Sequence, residues 1–306
     1  MAQLPREDAV GRAVGWLLLG VSGGLCLDLC AKQLLGTYPL VQFVFLRSLA
    51  GLLLFLLLGP LLGGWRQLAT GRWRWHLLRT LLASGSMFGF FFGLSRLPLV
   101  ETLTLGFTAP LMLTALSRPL LGEHVGWRRW LAVIAGFAGV VVVLRPSHGF
   151  EALPALAVLC SALCYACLAM TARHLGRTES SYALSVWVVA GPLALSGVLL
   201  GRDAAWVAPD AGAAFLFVLA GACSVVAWLG IINGYRGAAP AILAPLEYTS
   251  LVGGALAGYL FWGEVPDAFV VAGAAIIIAS GLYVVYRELG GDFARYGRRL
   301  FRPRRS

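Results

Sequence analysis

Tyr259-Leu-Phe-Trp-Gly-Glu264 closes a long apolar stretch, and Pro119-Leu-Leu-Gly-Glu123 closes another about 141 residues earlier. Each phrase is preceded by further membrane-length apolar segments and followed by one more of roughly twenty residues. A set of five such segments that occurs twice has an odd number per copy, so the second copy must run upside down in a bilayer. Inverted duplication is a layout of secondary transporters, whose substrate site is expected between the copies.

The composition requires a bilayer. Charged residues make up 12% of the 306-residue chain, apolar residues 59%, and mean hydropathy is +0.81; soluble domains carry about a quarter charged residues. A soluble chain built this way would expose large apolar patches and aggregate. Windows of about 20 residues predict ten spans: 13–34, 39–62, 76–95, 99–121, 129–145, 152–172, 181–200, 211–232, 238–262 and 266–286. They should be helices, because lipid offers no partner to a free backbone amide or carbonyl. A β-barrel would show short alternating segments instead. The expected fold is an all-α polytopic membrane protein with ten transmembrane helices as two inverted five-helix repeats. Residues 1–12 form a cytoplasmic N-terminus, 13–145 the first repeat, 152–286 the second, and 287–306 a basic cytoplasmic tail.

The net charge of +10 is distributed as a topology signal rather than as a nucleic-acid surface. With the N-terminus cytoplasmic, eighteen arginines lie inside, and only Arg96, Arg145 and Arg202 lie outside. This positive-inside bias places both termini in the cytoplasm, as an even number of spans requires. The arginine-rich tail reads as an anchor on anionic lipid. The first apolar run outlasts a signal-peptide core and should be retained as the first span. The six cysteines all fall inside spans and read as small packing residues; Cys164-Tyr-Ala-Cys167 has no nearby histidine to suggest a redox or metal role.

Glycines at four-residue spacing (Gly20–Gly24, Gly59–Gly63, Gly89–Gly93, Gly230–Gly234, Gly254–Gly258) allow close helix approach. Trp65, Trp73, Trp75, Trp127, Trp130, Trp206 and Trp262 mark span ends. The sharper signals are charges within spans, each costing about 2.5–3.5 kcal/mol near the centre unless paired or wetted. Asp28 and Lys32, at i and i+4, can neutralise each other or line a cavity. Arg47 lies about eight residues into its span, roughly 12 Å deep, and should face Asp28, Glu101 or the cavity. Glu247 follows Pro240 and Pro245 near the middle of the ninth span, so a carboxylate meets a Pro-broken helix. At the 141-residue offset, Gly106 stands opposite Glu247, Phe107 opposite Tyr248 and Thr108 opposite Thr249. Glu247 is the candidate for substrate contact or a coupling proton. Glu123 and Glu264, at corresponding helix ends, read as residues that order the turns after them.

The first copy carries Arg79-Thr-Leu-Leu, Leu97-Pro-Leu-Val-Glu-Thr-Leu-Thr-Leu, Thr108-Ala-Pro110 and Leu121-Gly-Glu123; the second carries Ala244-Pro-Leu-Glu-Tyr-Thr-Ser250 and Gly263-Glu264-Val-Pro266. In register with ten spans, these phrases resemble the drug/metabolite transporter superfamily, in particular its EamA-type ten-helix members, across about 13–286. The resemblance implies gradient-driven alternating access between two five-helix halves. Family members move amino acids, riboflavin, S-adenosylmethionine, nucleotide-type metabolites, metallophores and drugs, inward or outward. The expected function is secondary transport of a small organic metabolite at a bacterial inner membrane, by a monomer or homodimer. Substrate contact is expected at Asp28, Lys32, Arg47, Glu247, Tyr248 and Thr249. The basic pair would meet a carboxylate or phosphate, and the acidic pair an amine or a proton.

Two other readings stand beside it. Gly20-Val-Ser-Gly23 matches the nucleophile signature of rhomboid-like intramembrane proteases, but no histidine lies at that depth to serve as base. A non-transporting scaffold would gain nothing from costly buried charges. No Walker-type phosphate loop and no metal-ligand spacing occur, so neither an enzyme nor a cofactor or metal site is expected.

Overall fold

The computed structural model describes residues 7–300 except 63, 122–125, 145–151, 176–178, 204 and 239. In chain order it has α1 (Glu7–Leu35), α2 (Leu40–Leu58), a 3-10 turn (Trp65–Leu68), α3 (Trp73–Leu94), α4 (Leu99–Gly106), α5 (Ala109–Leu121) and α6 (Trp127–Leu144). There follow α7 (Ala152–Leu175), α8 (Ser181–Asp203), α9 (Ala211–Gly237), α10 (Pro240–Glu247), α11 (Thr249–Trp262) and α12 (Ala268–Leu300). Among the described residues there is no strand, and nine segments are long and apolar enough to cross a membrane, α4 and α5 counting as one. The pair α10 and α11, interrupted at Tyr248, supplies the tenth. The molecule is an all-α polytopic membrane protein whose spans form two inverted sets of five.

The duplication extends to individual contacts. Gly89 and Gly230 are repeat-related, each the counterpart of the other in the two copies. A Cβ on Gly89 would lie 2.6 Å from the carbonyl oxygen of Ala157, and one on Gly230 2.6 Å from that of Trp16, the residue that corresponds to Ala157. Gly93 meets the Pro154 carbonyl and Val158, while Gly234 meets the Ala13 carbonyl and Leu17, at the same offset. Thus α3 packs on α7 as α9 packs on α1, and in both pairs glycine lets backbone meet backbone. Gly20 and Gly23, the glycines of the protease-like phrase, belong to this seam: both face the α9 backbone at Cys223, Ala227, Gly230 or Ile231.

Both repeat-related broken helices break at corresponding points. Leu99 to Leu121 maps onto Pro240 to Trp262, and the interruptions fall at Phe107–Thr108 and at Tyr248. The sequence predicts the second break only. In the first copy, Pro110 lacks the N–H that would bond the Gly106 carbonyl, and in the second, Pro245 lacks the one for Ala241. A threonine completes each break: Thr108 Oγ1 donates to the Leu105 carbonyl and Thr249 Oγ1 to the Leu246 carbonyl, both at 2.6 Å. These hydroxyls take helix acceptors locally and mark where the backbone bends.

Helix ends agree with the expected interfacial tryptophans. Trp65, Trp73, Trp75, Trp127 and Trp206 are exposed, as an aromatic belt demands. Trp262 instead packs against the core. The helix α12 continues to Leu300, past the end of its apolar stretch at 286. Gly63, Gly122, Glu123 and His124 lie outside the described residues.

Candidate functional site

The two broken helices meet at their breaks. The rings of Phe107 and Tyr248, repeat-related residues, lie 4.9 Å apart between centroids at 39°, within the range of a favourable aromatic pair. Tyr248 Oη is seated so close to α12 that a Cβ on Gly281 would collide with it. The pseudo-two-fold crossing is therefore aromatic on both sides but acidic on one, because Glu247 precedes Tyr248 and Gly106 precedes Phe107.

Glu247 is held by a tyrosine of the preceding helix. Tyr235, on α9, donates its hydroxyl to Glu247 Oε1 at 2.8 Å. Tyr248 is the neighbour of Glu247 in the chain, at the break between α10 and α11. Tyr165 is exposed at 40% of its surface.

Arg47 is 2% exposed and under-satisfied. Its Nη1 donates to Met87 Sδ at 2.8 Å, its guanidinium lies 5.6 Å from the Phe91 ring centroid, and its Nε has no partner among the described residues. A thioether is a weak acceptor for a group with five donors. Asp28, half-buried on α1, is the carboxylate within electrostatic reach of Arg47, although no direct ion pair joins them among the described residues.

Lys32 behaves differently from its expected pairing with Asp28 one turn away. Its Nζ reaches Glu264 Oε1 at 2.5 Å and donates to the Leu97 carbonyl at 3.0 Å, lying 5.7 Å from the Trp262 ring. Glu264 Oε2 accepts the Leu99 N–H at 2.8 Å, so it satisfies an orphan amide at the start of α4. Gly263, left-handed at φ 68°, turns the chain so that Glu264 can reach there. These contacts outbid a helical i, i+4 pair because they combine charge, two backbone groups and an aromatic face. The clamp joins the first copy to the second at the end of the molecule opposite the start of α1. The 141-residue offset maps Lys32 onto Arg173 and Glu264 onto Glu123; Glu123 and the Arg173 side chain lie outside the described set.

Of the six predicted site residues, Glu247 and Tyr248 share the crossing, Arg47 is buried against Met87 and Phe91 with no ion pair to Asp28 among the described residues, and Lys32 joins the terminal clamp. Thr249 is exposed and spends its hydroxyl on Leu246. Two further buried polar groups do not announce themselves in the sequence. Arg79 donates to the Leu168 carbonyl and Thr171 Oγ1 at 3.1 and 2.8 Å, and His76 lies 3.6 Å from Glu179, which accepts from Thr70. Both sit near a span start, where charge ordinarily means solvent. Tyr235 is disguised in the same way, as one more aromatic residue at a helix end.

Residues 14–145 match the model of the EamA-like transporter family. A riboflavin transporter of Rhizobium johnstonii is 30% identical over 71% of this chain and 71% of its own length. The chain belongs to the EamA-like transporter family. An S-adenosylmethionine uptake transporter of Rickettsia bellii is 29% identical over 90% of this chain and 94% of its own. A pseudopaline exporter of Pseudomonas aeruginosa is 25% identical over 81% of this chain and 87% of its own. A solved crystal structure, 20% identical, superposes with a TM-score of 0.65 over 91% of this chain and 98% of that one, which shows the shared fold. Membership in this family makes the chain a transporter of small metabolites in a membrane it crosses many times.

Proposed function

We propose that this EamA-like protein is a secondary carrier that exposes one central site alternately to the two sides of a bacterial inner membrane, with both termini cytoplasmic. The duplicated architecture, divided into a first repeat at 13–145 and a second at 152–286, supports inverted halves that rock about the crossing of α4–α5 with α10–α11. The observation that carries the reading is the meeting of two repeat-related helix breaks at Phe107 and Tyr248, with a carboxylate on one side only.

The substrate is a small organic ion or zwitterion. Arg47 supplies a buried cation whose donors are not exhausted by its sulfur and aromatic neighbours, suited to a carboxylate or phosphate. Glu247 supplies the anionic pole, for an amine or for a coupling proton. Asp28 holds Arg47 between transport events, and Lys32 closes one end of the path. Tyr248 lines the crossing, and Thr249 fixes the bend that presents it. The riboflavin and S-adenosylmethionine transporters among its relatives make those two compounds the first substrates to offer.

The test is counterflow in proteoliposomes, with unlabelled riboflavin or S-adenosylmethionine inside and the labelled compound outside. Saturable exchange is expected, reduced at least about tenfold by Arg47→Ala, a loss of about 1.4 kcal/mol. Flux that rises linearly without saturation would identify a channel instead. Wild-type rate and pH dependence in Glu247→Gln would remove the proton role.

A further inference from the structure

We propose that the groove between α6 and α12 binds one phospholipid with an anionic headgroup, its phosphate on Arg128 and an acyl chain over a floor of alanines. The site lies apart from the crossing at Phe107 and Tyr248, and it rests on the carrier reading only for the side of the membrane.

The groove exists because the seam between these two antiparallel helices is tight at one place and bulkier at its mirror place. They meet backbone to backbone at Gly139 and Gly273, where a Cβ on Gly273 would lie 2.7 Å from the Gly139 carbonyl oxygen. At the 141-residue offset Gly139 maps onto Ser280 and Ala132 onto Gly273. Pseudo-symmetry therefore sets Ala132 against Ser280, seven residues along each helix from the glycines, or about 10 Å. Both positions carry a side chain there, and a groove of about 430 Å³ opens beside them. Small-ligand sites occupy about 300–1,000 Å³.

The lining is graded as a lipid is graded. Ala132, Ala135 and Ala279 make the deep, apolar part, and Arg128 and Tyr283 stand one turn nearer the helix ends. The Arg128 guanidinium lies 5.3 Å from the centroid of the Trp127 ring, and among the described residues no carboxylate pairs with it. Ser280 lines the groove at 7% exposure, and among the described residues its hydroxyl has no hydrogen-bond partner. A hydroxyl buried to that degree requires an acceptor, which an ester or phosphate oxygen in the groove supplies. The mouth belongs to the arginine-rich face, and basic pockets between spans on the cytoplasmic side hold anionic headgroups. A water-soluble metabolite would leave the alanine floor uncovered, and a zwitterionic lipid would bring its own cation up to Arg128.

Native mass spectrometry of the full-length protein, offered equal amounts of dioleoylphosphatidylglycerol and dioleoylphosphatidylcholine in detergent, reads the site. Phosphatidylglycerol should be retained at one per chain and preferred by about fivefold or more. The preference should fall to near unity in Arg128→Gln. Retention of either lipid should drop in Ala135→Phe, which fills the groove from an exposed position; should that variant not be recovered folded, Ala279→Leu fills the same groove. Arg74→Gln is the control, because Arg74 also stacks on an indole, 5.5 Å from the Trp73 centroid, without lining the groove; there the preference should persist. Excess inorganic phosphate should not displace the lipid, since it cannot cover the alanine floor. Equal retention of the two lipids, an equal loss in Arg74→Gln, or full retention in both groove variants overturns the site. Displacement by inorganic phosphate alone, or a lipid-free dimer held through α6 and α12, overturns the lipid as occupant. Counterflow separates this from the carrier reading: saturable exchange in a protein that retains no lipid leaves the carrier standing and removes the site. Selective lipid retention without saturable flux for any compound does the reverse.

Discussion

The two halves of the molecule share a skeleton and differ in chemistry. Glycine contacts on α3 and α9, both helix breaks and both threonine hydroxyl bonds recur at the repeat offset. At the same offset, Asp28 stands opposite Ala169, Arg47 opposite Val188, Arg79 opposite Ala220, Tyr165 opposite Gly24 and Glu247 opposite Gly106. Positions that decide how closely helices approach are held in both copies. The charged positions Asp28, Arg47, Arg79 and Glu247 are held in one, whereas the rings of Phe107 and Tyr248 at the crossing are held in both. This division follows from energetics, because a close-packed seam tolerates no added atoms in either copy, whereas a second charge at a pseudo-symmetric site would double the desolvation cost without adding a counter-ion. An inverted repeat can thus supply a symmetric hinge and an asymmetric pocket from one gene duplication.

The largest effect expected from breaking this comparison lies in the seam. A Cβ at Gly230 would stand 2.5 Å from Gly20 Cα, backbone against backbone, with no flexible group to move aside. Gly230→Leu should prevent recovery of folded protein. The milder Gly230→Ala should cost about 1–3 kcal/mol, the usual penalty of overpacking, read as a lower thermal midpoint in detergent. Gly85 is the control within the partner seam: its added Cβ meets only the Cys164 side chain, with Sγ at 3.1 Å, and Gly85→Ala should cost clearly less. Equal losses at the two positions would mean that the α1–α9 contact is looser than its backbone distances imply.

The clamp at the far end comes next in size. Lys32→Gln removes the ion pair to Glu264, the bond to the Leu97 carbonyl and the contact with Trp262, and leaves Glu264 with Leu99 alone. The side chains are 11% and 20% exposed, so the loss should fall below that of a fully buried pair, at about 1–3 kcal/mol. Lys32→Arg should recover much of it. Because the clamp bridges the copies, Lys32→Gln should also raise the labelling rate of a cysteine placed at Leu97, which is buried beside it. An unchanged midpoint and labelling rate would reduce the clamp to a surface ion pair.

The duplication is legible from two short phrases because membrane-length apolar segments repeat with a measurable period. Glu247 is legible too, since a carboxylate after two prolines in an apolar run has no cheap explanation. What the chain does not disclose is pairing over long distance. Lys32 has one acidic neighbour a helical turn away, Asp28, and another in the second copy, Glu264. Local spacing favours the first, although the folded turn at Gly263 delivers the second. Glycine spacing shows that Gly89 and Gly230 face close neighbours, but not that those neighbours are α7 and α1. Tyr235 lies at a helix end, where aromatic residues anchor to the interface, so its hydrogen bond to Glu247 depends on how α9 and α10 turn back on each other. The first helix break escapes notice for a different reason: the sequence around Pro110 bears no charge to draw attention to it.

The smallest effect belongs to the position that mirrors the site residue. Gly106, the counterpart of Glu247, has only the edge of the Phe90 ring near its would-be Cβ, at 3.4 Å, an ordinary van der Waals distance. It ends α4 with a helical backbone rather than a left-handed one, so alanine is admitted without strain and should gain slightly in helix propensity. Gly106→Ala should therefore change the thermal midpoint by no more than about 0.5 kcal/mol equivalent and leave counterflow near wild type, while Glu247→Ala should slow counterflow by about tenfold or more. The contrast sharpens what the duplication means. If Gly106→Ala instead impairs exchange as strongly as Glu247→Ala, the crossing requires space on the first-copy side, and the pocket extends symmetrically across Phe107 instead of lying on the Glu247 side alone.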